Sequence, residues 1–361
     1  MCFNLKHGKK MRKKTVIKKR IIGVFLTAMM LVCMAGCGSQ NTGSGDAAGG
    51  TTESNSESEA PAEKTDLTMV LDWAPNTNHT GLYVAQDKGY FSDAGLNVTI
   101  VQPPEDGAAT MVASGDAQFG VEFQDTMAPA LSQENPLPIS AVAAIIQHNT
   151  SGLVSLKEKG IDSFGKLPGH SYATWDSPTE QAILKTLVEK DGGDWSQVKL
   201  ISTYVENIFA GLNADIDSVW IYAGWERIRL EMENIDYNFL LFKDFDPVFD
   251  YYNPVIVGNN DFMKENPEVT KAFLEAVKKG YEFAAESPEE AADILLKNAP
   301  ELDETLVKKS QAYLSTQYVD DADSWGVIDP ERWNRFYHWL NENNLVEKEL
   351  PENAGLAENH L

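Results

Sequence analysis

The stretch Leu71–Phe91, LDWAPNTNHTGLYVAQDKGYF, decides the reading of this chain. A short apolar run, Leu67 to Trp73, has the length and composition of a strand. It breaks at Pro75 into the polar loop Asn76-Thr77-Asn78-His79-Thr80-Gly81, and a helix-like run from Leu82 to Lys88 follows, with Gly89 suited to close it. Strand, hydrogen-bonding loop and helix start together make a ligand cradle in an α/β protein.

Working outward, strand-like and helix-like runs keep alternating. Strands are expected at Asn97–Gln102, Phe119–Phe123, Ile139–Gln147, Ser171–Trp175, Lys199–Tyr204, Asp217–Ala223 and Pro254–Gly258. Helices are expected at Ala108–Ala113, over SPTEQAILKTLVEK from Ser177, and at Pro267–Ala285, Pro288–Lys297, Glu304–Tyr313 and Pro330–Asn344. Ser177 as N-cap, Pro178 at the first helical position and Glu180 three after the cap form a capping-box pattern. The alternation predicts α/β architecture with largely parallel sheets. About 295 residues exceed one small core, so two lobes are expected, 66–158 with 256–361 and 159–255, joined by two crossovers near 155–164 and 252–257. A cleft between such lobes is where a small ligand would sit and drive closure.

The N-terminus reads as an export leader. Nine basic residues and no acid lie between Lys6 and Arg20, and Ile21–Ala35 is uncharged and mostly apolar, too short to span a bilayer and right for a signal core. It ends in Met34-Ala35-Gly36-Cys37, which predicts a signal peptide over 1–36 and lipidation of Cys37; Met11 is an equally good start. With Cys2 and Cys33 removed, Cys37 is the only cysteine left, which excludes a disulfide, a zinc cluster or a cysteine nucleophile beyond it. Residues 38–65 are Gly/Ser/Thr/Glu-rich and read as a flexible spacer.

The chain carries 30 basic and 54 acidic residues. Nine of those bases are in the leader, so the remainder of the chain is strongly acidic. That excludes nucleic acid and anionic lipid as partners held by charge. Arginine is scarce beyond the leader: Arg227, Arg229, Arg332 and Arg335 only. Binders of phosphate, sulfonate or carboxylate commonly use an Arg fork, so the shortage favours a neutral or weakly cationic ligand.

Near the expected strand ends the chain offers rings, amides and carboxylates instead: Asp72-Trp73, Glu122-Phe123-Gln124-Asp125, Trp175-Asp176-Ser177 and Tyr222-Ala223-Gly224-Trp225-Glu226. Rings on opposite lobes can sandwich a flat heterocycle, and a carboxylate or amide can read its amino-substituted edge. The candidate ligand residues are Asp72, Trp73, Asn76, Asn78, His79, Tyr83, Glu122, Gln124, Trp175, Ser177, Tyr222, Trp225, Glu226 and Tyr252. Several have structural readings beside the functional one. Asp72 reads equally as a strand-end cap, Asn76 and Asn78 as turn formers, His79 as a loop-satisfied histidine, and Glu226 as a cap or a partner of Arg229. Trp333, Phe336, Tyr337 and Leu340 recur at helical spacing and read as core. The five histidines beyond the leader show no metal-ligand spacing, and no nucleophile-elbow or phosphate-loop string appears.

LDWAPNTNHTGLYVA, QHNTSG (Gln147–Gly152), WDSP (Trp175–Pro178) and WIYAGWE (Trp220–Glu226) together resemble the thiamine-pyrimidine-synthase-like family of substrate-binding proteins, whose superfamily includes alkanesulfonate-binding proteins. The resemblance implies a type II periplasmic-binding fold over nearly all of the globular part. It also implies an extracytoplasmic, lipid-anchored solute-binding protein that works with an ABC permease and ATPase. The implied ligand is an aminopyrimidine such as formylaminopyrimidine or hydroxymethylpyrimidine, with no cofactor, and a monomer is expected. Riboflavin or another aromatic metabolite is the alternative ligand, and a pyrimidine synthase the alternative class. The resembling synthases use a lysine for pyridoxal phosphate and a histidine one helical turn later. Those positions correspond here to Glu122 and Thr126, which can do neither job.

Overall fold

The computed structural model describes residues 64–203, 205, 207–212 and 215–358. The leader, Cys37 and most of the spacer lie outside the described residues.

Two five-stranded sheets organise the described chain. The first has the order β2-β1-β3-β10-β4, from β1 (Thr65–Val70), β2 (Leu96–Val101), β3 (Phe119–Glu122), β4 (Ile139–Ala144) and β10 (Val255–Asn259). The second has the order β7-β6-β8-β5-β9, from β5 (Ser151–Leu156), β6 (Ser171–Thr174), β7 (Lys199–Ser202), β8 (Ser218–Tyr222) and β9 (Tyr237–Leu241). The helices in chain order are α1 (Thr80–Asp87), α2 (Tyr90–Asp93), α3 (Ala108–Ser114), α4 (Gln124–Leu131), α5 (Pro178–Lys190), α6 (Ile208–Leu212), α7 (Ile228–Met232), α8 (Phe242–Phe245), α9 (Asn260–Glu265), α10 (Pro267–Glu286), α11 (Pro288–Asn298), α12 (Glu304–Leu314) and α13 (Pro330–Glu342).

The sheets are mixed rather than largely parallel. β1 pairs in parallel with β2 and β3, and β6 with β7 and β8, but β10 and β5 run antiparallel to both of their neighbours. Each of these two is the strand that enters its sheet from the other one. It arrives from the side where the remaining strands end, so it has to run the opposite way. Ser151–Leu156, which the sequence places with the first lobe, pairs only with β8 and β9. The outgoing crossover therefore lies between β4 and β5, ahead of 155–164.

The two crossovers are tied to each other. His148 Nδ1 meets Asp250 Oδ2 at 2.6 Å and its Nε2 meets Asp321 Oδ1 at 3.0 Å, which joins the outgoing segment, the return segment and the chain between α12 and α13. Two carboxylate acceptors on one imidazole favour the protonated ring, and the Asp250 hydrogen bond is the main cause that raises the His148 pKa.

Local sequence accounts for the helices that flank the sheets. Pro267 opens α10, and Phe273, Leu274, Ala276, Val277, Gly280, Tyr281 and Ala284 form its buried face at helical spacing. Asp329 caps α13 by accepting from the Glu331 N–H at 2.9 Å, and Trp333, Phe336, Tyr337 and Leu340 are buried in the core as the spacing predicts. α1 and α10 approach closely because Gly81 and Gly280 meet at the crossing. A Cβ on Gly280 would stand 2.0 Å from the Gly81 carbonyl oxygen. This contact matters for the site, since α10 carries Tyr281, whose hydroxyl donates to the Asn78 carbonyl at 2.7 Å.

Candidate functional site

The polar loop after β1 is built from its own side chains. Asn76 Oδ1 accepts from the Asn78 N–H at 2.9 Å, and the Asn76 N–H donates to His79 Nδ1 at 3.2 Å. With Nδ1 used as acceptor, His79 carries its proton on Nε2 and donates it to Asp72 Oδ1 at 2.5 Å. His79 is fully buried, and its bond to the carboxylate orients Asp72. His79→Ala is expected to cost about 2 kcal/mol of stability, because it leaves the Asn76 N–H and the Asp72 carboxylate without their partner. Chemical denaturation of the variant measures this, and an unchanged midpoint would contradict it.

A serine on α12 joins this loop to the second sheet. Thr77 Oγ1 lies 2.5 Å from Ser310 Oγ, and Ser310 Oγ donates to the Gly224 carbonyl. Thr77 is therefore the donor in the first bond. Gly224 sits in the π-helical turn Ala223–Arg227 that follows β8, a local widening of the kind often found at functional sites. Sequence periodicity gave no sign of that turn or of Ser310.

Two spaces meet at Tyr222. One is a narrow gap between the sheets, about 30 Å³, lined by Asn76, Asn78, Tyr222, Trp225 and Asn253 among others. The second is a cavity of about 280 Å³ beside the end of the second sheet, walled by Trp175, Trp220 and Tyr222 with Glu226, Arg229 and Thr203. Trp175 stands edge-on to Trp220, with ring centroids 5.4 Å apart, and remains 49% exposed. Across the gap Tyr222 stacks on Phe123 at 6.4 Å, so the ends of β3 and β8 face each other. A separate space of about 490 Å³ lies along α13 and contains none of these residues.

The surroundings of Tyr222 are acidic. Burial, with the carboxylates of Asp125, Glu226 and Asp72 acting on it, pushes the phenol pKa up. Burial raises Asp125 to about 6, with the Glu122 carboxylate adding to the shift. Glu122 is raised by burial as well, although it accepts from the Ala109 N–H at 3.0 Å and from Thr126 Oγ1 at 2.7 Å. Glu226 is raised by burial and partly relieved by the Tyr222 N–H and Arg229. Arg229 qualifies the argument from arginine scarcity, since one guanidinium does line the cavity; it stands within electrostatic reach of Glu226, which offsets its charge.

Asn76, Asn78, Trp175, Tyr222, Trp225 and Glu226 line the two spaces, with Asp72 and Glu122 among the acids around them. The other sequence candidates line neither space. Gln124 is fully buried, with its amide bonded to the Trp333 carbonyl and the Tyr252 N–H. Tyr252 is buried too, and its hydroxyl accepts from the Asp329 N–H at 2.8 Å. Tyr83 packs in the core with its phenol near Glu301. Ser177 caps α5, while the Glu180 carboxylate accepts from the Tyr172 and Thr174 hydroxyls. Trp73 is 61% exposed and lines neither space. The sequence reading did not select Asp125, Asn253, Trp220 or Arg229. Asp125 was visible one residue past Gln124 at a strand end; Asn253 carried no signal.

Residues 76–291 match the model of the NMT1/THI5-like family. The chain belongs to that family. It is 32% identical over 310 residues to the formylaminopyrimidine-binding protein of Halalkalibacterium halodurans, covering 82% of this chain and 90% of that one. It is 24% identical over 255 residues to a 4-amino-5-hydroxymethyl-2-methylpyrimidine phosphate synthase of Legionella pneumophila, covering 68% and 78%. Among solved structures, the alkanesulfonate-binding protein SsuA of Xanthomonas axonopodis superposes with a TM-score of 0.61 at 11% identity, covering 83% of this chain and 99% of that one. The NMT1/THI5-like chain thus has the two-sheet fold of the periplasmic-binding proteins. Its homology to a named binding protein supports a binding role.

Proposed function

We propose that this protein is an extracytoplasmic, lipid-anchored solute-binding protein of an ABC importer, and that it binds a thiamine-pyrimidine precursor, formylaminopyrimidine or hydroxymethylpyrimidine. The observation that carries the ligand class is the cavity at Tyr222. Three aromatic walls suit a flat ring, and the Glu226 carboxylate is placed to accept from an amino-substituted edge. The named binding relative supports the same ligand class. Asn76 and Asn78 on one sheet's loop and Trp225 beyond the other's β8 line a common gap, which suits closure of two lobes on a ligand and a population shift toward the closed form.

On this reading the protein is not an enzyme. Where the resembling synthases carry lysine and histidine, Glu122 and Thr126 hydrogen-bond to each other, and neither supplies an amine or an imidazole. Addition of pyridoxal phosphate should produce no Schiff-base absorbance; its appearance would support the synthase alternative. The affinity test is Glu226→Gln, followed by tryptophan fluorescence. The substitution should weaken an aminopyrimidine by roughly 10- to 100-fold, and a matched pyrimidine lacking the amino group by much less. Equal losses for the two would make Glu226 structural.

A further inference from the structure

The loop that carries Trp175 is anchored from behind by one buried carboxylate. Glu180 is only 2% exposed and stands in the first turn of α5. Its Oε1 accepts from the Tyr172 hydroxyl, and its Oε2 accepts from Thr174 Oγ1 at 2.8 Å. The main-chain N–H groups of Trp175 and Ser177 lie within hydrogen-bonding reach of the same carboxylate. A carboxylate offers about four acceptor sites, and these donors all come from the one segment Tyr172–Ser177. A capping box needs only the Ser177 N–H, so most of the arrangement serves the loop rather than the helix. The loop is held on its other side as well. Asp176 stands at φ 63°, its N–H donates to Thr174 Oγ1 at 2.9 Å, and its Oδ1 accepts from Ser202 Oγ at 2.9 Å. Between these two holds lies Trp175, edge-on to Trp220 and a wall of the cavity at Tyr222.

We propose that Glu180 is a positioning residue for the ligand site and acts through Trp175: its carboxylate fixes the backbone of Tyr172–Ser177 and so holds the Trp175 ring as a ready-made wall of the cavity. Glu180 itself lines neither space. Trp175 is half-exposed, so packing around its side chain does little to place the ring, and the backbone beneath it has to. A ring already in place loses less freedom when a flat ligand stacks on it, which raises affinity without any contact between Glu180 and the ligand. Glutamine at 180 keeps the size of the side chain but has one acceptor oxygen and turns an amide N–H2 toward donors, so part of the segment is released. The inference rests on the proposed ligand site, in which Trp175 is a wall.

The test is a double-mutant cycle read by calorimetric titration with formylaminopyrimidine. Glu180→Gln should weaken binding about tenfold in the wild-type protein and by less than about twofold in Trp175→Ala, where the ring it positions is gone. A similar loss in both backgrounds, or no loss in the wild type, overturns the role. Circular dichroism gives a second readout. Rings with centroids 5.4 Å apart couple their transitions, so Trp175 and Trp220 give a couplet that is defined by its loss in Trp175→Phe. Glu180→Gln should weaken this couplet, and an intact couplet in the folded variant overturns the role. If Glu180→Gln does not fold, Thr174→Val, which removes one donor to the carboxylate, should show both effects and Thr174→Ser neither; the two Thr174 variants behaving alike overturns the role. A weakened couplet without binding of the pyrimidine supports the positioning role and overturns the pyrimidine reading.

Discussion

Asp125→Asn is expected to stabilise the protein by about 2–3 kcal/mol at pH 7.5, a gain that vanishes near pH 3. The sign is set by the direction of the shift. Burial raises the Asp125 carboxyl from 3.8 in the unfolded chain to about 6 in the folded one. Between those values the folded state holds a proton that the unfolded state has released, so stability falls as pH rises through the window. The full penalty is present above about pH 6, and asparagine does not titrate. A rise of roughly 4–6 °C in Tm at pH 7.5, shrinking toward zero in acid, is the expected signature for a domain of this size. A variant no more stable than the wild type at pH 7.5 would show that Asp125 is ionised without cost and has a donor in solution. Stabilisation by removing a charge is a mark of a group kept for function.

Gly280→Ala is expected to act in the opposite direction and more severely, at about 3 kcal/mol or above. The added Cβ would lie 2.0 Å from the Gly81 carbonyl oxygen, which is backbone and cannot rotate away. Relief requires α10 to move off α1. Tyr281 then withdraws its hydroxyl from the Asn78 carbonyl, so the loop that lines the gap loses a support. Denaturation should show the lost stability, and titration should show weaker ligand binding in whatever fraction remains folded. Wild-type stability would mean that the α1–α10 crossing is looser than the structure shows.

These two sites also show where sequence reasoning reaches and where it stops. The strand, loop and helix of Leu71–Phe91 were legible because alternating apolar runs and turn residues report local structure directly. The buried face of α13 was legible for the same reason. β5 was missed as a separate strand because QHNTSGLVSL has no turn signal stronger than the Ser-Gly pair, and its partners β8 and β9 lie more than 60 residues further along the chain. Parallel or antiparallel pairing depends on which side a strand enters from, which no periodicity records. For the site, residue type pointed to Tyr222, Trp175 and Glu226, which line the cavity beside the second sheet. It could not separate Asp72, near the acidic centre, from His79, buried behind it, because that choice is made by which imidazole nitrogen faces inward. Gln124 and Tyr252 looked like ligand groups, but the Gln124 amide holds the Tyr252 N–H and the Trp333 carbonyl, and the Tyr252 hydroxyl accepts from the Asp329 N–H.

The most direct test of the central claim is isothermal titration of the purified protein with formylaminopyrimidine, hydroxymethylpyrimidine, thiamine, riboflavin and taurine. One-to-one binding of a pyrimidine precursor, with taurine and riboflavin silent, is the predicted result. Binding of taurine or riboflavin with both pyrimidines silent would contradict it and move the ligand to another class on the same fold.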